Sequence, residues 1–119
     1  MSDNPIQLVR KHLATKGWTV EEFGSLEHSL PQAILRFNGA DLRPGKGPRW
    51  QVEILLICAD LDTPDPTDVI VDTTQKMWED LADLPRWVRD DVSGQQIIDD
   101  PLFVWEDLMF GSTVAISQR

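Results

Sequence analysis

The chain has a single cysteine, Cys58, so no disulfide can form within it. Its position inside an apolar run marks a small buried residue rather than a reactive thiol, and no acid or base close in sequence would activate it. There are only two histidines, His12 and His28. Neither has a second histidine or a cysteine nearby, so both read as isolated exposed residues and not as metal ligands. Bases are scarce: 11 Lys and Arg face 20 Asp and Glu, a formal charge of −9. That balance disfavours sequence-independent binding to phosphates. No apolar run is long enough to cross a bilayer. Asp3-Asn4-Pro5 leads into an amphipathic segment rather than the apolar core of a signal peptide, so the expected setting is a reducing cytosol or a particle assembled there.

Catalytic constellations are missing as well. Two histidines and one cysteine build no Ser/His/Asp or Cys/His arrangement, and no carboxylate pair is set among apolar residues that would raise its pKa. Glu53 is the one candidate acid, but a nuclease strand of the Glu-x-Lys kind would need a lysine where Leu55 stands. Gly45-Lys46-Gly47 is not a phosphate loop, because Pro48 follows and no Ser or Thr comes after the lysine. Asp60-Leu61-Asp62 hints at a calcium loop, yet Asp65 and Val71 occupy the places that need Gly and Glu. Neither an enzyme nor a bound metal or cofactor is expected.

What is present is enough for one domain over residues 1–119: 119 residues, 41% of them apolar, with five Trp and no Tyr. The stretch from Arg49 to Asp60 organises it. Trp50, Val52 and Ile54 alternate with Gln51 and Glu53, and from Leu55 to Ala59 both faces are apolar. This predicts a central strand with its second half covered on both sides. Asn4-Pro5 opens a helix over about 5–16, with Ile6, Val9 and Leu13 on one face and Gly17 beyond its end. Trp18-Thr19-Val20 reads as extended. Residues 32–38 alternate as a strand. Gly39 to Pro48 holds three Gly and two Pro and is expected to leave the ladder as a long hairpin loop. Thr67 is expected to cap a second helix to about Leu84, with Ile70, Thr74, Met77, Trp78 and Leu81 facing inward. Ser93-Gly94 reads as a turn, Asp99-Asp100-Pro101 as a break, and residues 102–110 as extended. Gly111 marks a bulge or bend, and Thr113 to Ser117 forms the last strand. The expected class is α+β: a small mixed or antiparallel sheet with two helices packed on it and a long hairpin loop.

Charge is unevenly placed. Residues 60–107 hold fourteen acids and three bases, whereas 32–49 hold four bases (Arg36, Arg43, Lys46, Arg49) and one acid, Asp41. Unlike patches of this kind favour self-association.

The order helix, strand, long loop, strand, acidic helix, terminal strands resembles the tail terminator, or tail-tube completion, proteins of long-tailed bacteriophages. The resemblance lies in the Ile6–Leu13 opening, the Trp50–Ala59 strand, Asp65-Pro66-Thr67-Asp68 leading into a helix that ends Trp78-Glu79-Asp80-Leu81, and the tail from Leu108 to Ile116. It covers most of the chain in pattern and transfers no site residue. It implies a virion protein assembled in the host cytoplasm: a hexameric ring at the head-proximal end of the tail tube, ending tube polymerisation and meeting the head–tail connector protein. Arg43, Lys46 and Arg49 are then the candidate contacts to a neighbouring subunit or the tail tube protein. Surplus acids lining the lumen would let DNA pass without binding. Other head–tail completion proteins, and an acidic binding protein such as a DNA mimic, are the alternative readings.

Overall fold

The computed structural model describes residues 4–22, 31–60, 63–98 and 109–119. The elements run α1 (Pro5–Thr15), β1 (Val20–Glu22), β2 (Gln32–Arg43), β3 (Gly47–Asp60), α2 (Pro66–Asp80), β4 (Trp87–Ile98) and β5 (Met109–Gln118). The strands form one sheet in the order β1-β2-β3-β5-β4, parallel between β1 and β2 and antiparallel elsewhere. The α+β expectation holds, and β3 is the middle strand of five. His28, the Asp99-Asp100-Pro101 break and the apolar run 102–108 lie outside the described residues.

Helix α1 begins where Asn4 Oδ1 accepts the Gln7 N–H at 2.9 Å and Gln7 Oε1 accepts the Asn4 N–H at 3.2 Å, a reciprocal capping box. It ends at Gly17, whose φ of +87° turns the chain so that the Trp18 N–H reaches the Leu13 carbonyl and the Gly17 N–H that of Ala14. Both helices lie on one face of the sheet. Val9 and Leu13 of α1 and Ile70 and Met77 of α2 pack with Ala33, Leu35, Val52, Ile54, Leu56, Val114 and Ile116 in one buried cluster. Each of the Val, Leu, Ile and Met side chains contributes about 1.5–3 kcal/mol by leaving water. On the opposite face Ile34, Leu55, Ile57 and Ala59 are buried too, which accounts for the doubly apolar second half of β3. Gln32 is buried beside them, with neither amide atom paired among the described residues.

Four local expectations need correction. Residues 39–48 do not form a loop: the β2–β3 ladder continues through Ala40↔Trp50, Asp41↔Arg49, Leu42↔Pro48 and Arg43↔Gly47, leaving only Pro44-Gly45-Lys46 as the turn. Proline is tolerated because β5 pairs with β3 only from Gln51 onward, so Pro48 sits on an edge where no N–H is required. Asp65, not Thr67, caps α2, accepting the Thr67 N–H at 3.2 Å, and the helix stops at Asp80, with a turn carrying the chain to Leu84. Ser93-Gly94 is not a turn: β4 runs through it, with the register slipping between Ser93 and Gln96. His12 is not exposed. Its side chain is 14% accessible and lies between the helices, with Nε2 2.8 Å from the Asp80 carbonyl oxygen and 3.2 Å from Asp83 Oδ1.

Candidate functional site

Two groupings of polar and aromatic residues compete as the site. The first joins the ends of the helices. The Trp18 indole N–H donates to Asp80 Oδ2 at 2.6 Å, and the Lys76 ammonium reaches the same oxygen at 2.6 Å while lying 4.5 Å above the Trp18 ring. Lys16 pairs with Asp83 at 2.5 Å. Burial raises the Asp80 carboxyl, but hydrogen bonds from Lys76 and Trp18 and the charges of Lys76 and Lys16 outweigh it, holding the group below its ordinary range. The Lys16 hydrogen bond likewise lowers Asp83, and the same contact raises Lys16. Every polar member is engaged with another, so the cluster serves as a clamp between α1 and α2. A cleft of about 380 Å³ opens beside it, lined by Trp18, Thr19, Asp72, Thr73 and Lys76 among others. Cys58 is buried, and burial pushes its thiol up to about 11, so it stays protonated near neutrality. Among the described residues no three His, Cys, Asp or Glu side chains come together as a metal site would require.

The second grouping is the end of the β2–β3 hairpin. From the Ala40–Trp50 pair onward, β2 and β3 pair only with each other among the described residues, because β1 stops opposite Leu35 and β5 stops opposite Gln51. The result is a two-stranded ribbon with both edges open. A bulge sets its faces: Asn38 and Gly39 oppose the single residue Gln51, and Gly39 takes φ +93°. The extra residue shifts the alternation, so that Leu42 shares a face with Phe37 and Trp50. Phe37 and Trp50 have ring centroids 5.8 Å apart. Trp50 packs against the helix-side core, Phe37 is 50% exposed and Leu42 is 86% exposed. An apolar strip thus runs from under the helices onto open ribbon.

The three candidate cations have different surroundings. Lys46 is exposed in the turn, with only its backbone N–H engaged, by the Arg43 carbonyl at 3.2 Å, and among the described residues nothing pairs with its ammonium. Arg43 is half-buried, and its Nε has no partner among the described residues. Arg49 is occupied within its own chain: Nε donates to the Gln118 carbonyl at 2.8 Å and Nη2 to Ser117 Oγ at 2.6 Å, with Asp90 at 3.5 Å and Asp41 at 3.8 Å. Arg49 therefore pins the root of the ribbon to β4 and β5, while Arg43 and Lys46 mark its tip. The sequence reading located these cations but missed Phe37 and Leu42. The Asn38-Gly39 pair was the available signal, since a bulge there changes which side Leu42 faces.

No helix among the described residues is long and apolar enough to cross a membrane. Searched against protein-family models the chain matches none, and no curated protein matches it.

Proposed function

We propose that this protein is a non-enzymatic assembly component of a long-tailed phage: a tail terminator whose ring closes the head-proximal end of the tail tube and meets the head connector. One observation carries the assembly part of this reading. An acidic chain projects a ribbon with open edges, an exposed apolar strip and a cationic turn, a combination that costs solubility in a monomer and gains from a partner. A ring uses contacts in which one patch of each subunit meets a different patch of the next, and such contacts close when the rotation between neighbours permits. The excess of acids suits a lumen through which DNA slides without adhering. The phage assignment rests on the sequence resemblance.

Native mass measurement and negative-stain imaging, alone and with a tail tube protein, test the proposal. A closed ring that caps tube ends is the expected result. A monomer that binds only a basic partner would favour a DNA mimic, and a monomer with neither property would remove both readings.

A further inference from the structure

We propose that the tip of the ribbon docks on the outer stripe of α2 in a second copy of this chain, at Asp68, Val71 and Asp72. This rests on the reading that the ribbon grips a sister subunit, and it names the surface gripped.

The argument begins with what is exposed. Four of the large apolar side chains left accessible fall into two pairs: Phe37 and Leu42 on the ribbon, Val69 and Val71 on α2. Val71 is 57% exposed, although a β-branched residue on a solvent-facing helix position gains nothing locally. The two pairs carry opposite charge. Leu42 is followed by Arg43 and Lys46. Val71 lies between Asp68 and Asp72, which stand four residues apart on one face of the helix and are both exposed. Among the described residues neither carboxylate is paired. A favourable position near the helix N-terminus accounts for Asp68 but not for an exposed valine beside it.

Position within the fold makes the contact intermolecular. The ribbon turn precedes the N-terminal end of β3, and α2 starts beyond its C-terminal end. Thr74, three residues after Val71, meets Ser112 opposite Leu56, so the nine steps of β3 from Gly47 to Leu56 put about 30 Å, at 3.3 Å per residue, between the turn and this part of α2. The ribbon of one molecule therefore cannot fold back onto its own α2. The contact is head to tail, and it propagates into a ring or a filament. Opposite charges fix which end meets which, since ribbon to ribbon and helix to helix are both repulsive.

The experiment is a charge exchange in the full chain, read by sedimentation at several protein concentrations, with circular dichroism to verify folding. The ribbon variant R43E/K46E and the helix variant D68K/D72K should each raise the association midpoint at least tenfold. The variant carrying all four changes should recover assembly, because the pairing is restored with its signs reversed. Assembly lost in the ribbon variant but kept in the helix variant would overturn α2 as the acceptor and leave the ring reading standing. A wild-type chain that stays monomeric at every concentration would overturn both. Failure of the four-fold variant to recover while folded would also overturn the pairing. If that variant does not fold, the milder pair Lys46→Gln and Asp72→Asn gives the same answer through a double-mutant cycle: coupled effects on association are expected, and additive effects would refute the contact.

Discussion

The two halves of β3 obey different rules. From Val52 to Ile57 the strand is paired on both sides, and from Val52 to Ala59 it is buried apart from Glu53. From Gly47 to Trp50 it is paired on one side only and carries a proline and half-buried or exposed side chains. The doubly paired part has the composition that folding requires. The ribbon part keeps exposed features that folding alone does not require, which fits the proposed contact with another copy. The same contrast separates Arg49, engaged in holding the ribbon root, from Lys46, whose ammonium pairs with nothing among the described residues.

The contrast is broken most directly by one substitution made in both halves of the molecule. At Gly111 in β5 an added Cβ would sit 1.7 Å from the Leu56 carbonyl oxygen, so the strands must part. Gly111→Ala should cost about 3 kcal/mol in urea unfolding, the upper range for overpacking. Gly45, in the ribbon turn, has open space around it and φ +75°. Gly45→Ala should cost only about 1–2 kcal/mol, the penalty of a left-handed conformation for a residue with a Cβ. Equal costs would mean that the ribbon is as tightly built as the body.

Removing the clamp between the helices is the next largest effect. Asp80→Asn loses the charge that holds Lys76 and Trp18, and should destabilise the fold by about 1 kcal/mol near neutral pH, given partial exposure. The pH dependence has a definite sign. Because Asp80 and Asp83 sit below their ordinary range when folded, their contribution is complete above about pH 4 and is lost as pH falls through their folded values. Thermal unfolding of the wild type should therefore weaken on acidification below about pH 4, and more shallowly in Asp80→Asn. An unchanged acid limb would show that Asp80 does not carry the effect. The smallest expected effect is that of Leu42→Ser, which should leave monomer stability within about 0.5 kcal/mol while weakening self-association.

The regular parts of the fold were legible in the sequence because local rules and burial agree there. Asn4 and Gly17 bound α1 as their residue types require, and the alternation from Trp50 gives way to a fully apolar run where β3 becomes buried on both faces. The ribbon was misread because Gly and Pro are weighed as ladder breakers, whereas an open edge has no use for the missing proline N–H and a bulge absorbs the glycine. His12 and the Trp18–Asp80 contact were not visible because they join residues more than sixty positions apart, which no local pattern encodes. The cations of the candidate site could be counted from the sequence, but their partners could not. Only the fold separates Arg49, pinned to Ser117 and Gln118, from Lys46.

Amide hydrogen exchange measured at dilute and at concentrated protein tests the division between body and ribbon most directly. Amides of residues 52–59 should be equally protected at both concentrations. Amides of residues 39–50 should exchange quickly when dilute and gain at least tenfold protection when concentrated. Ribbon exchange that does not depend on concentration, while body protection persists, would contradict the account.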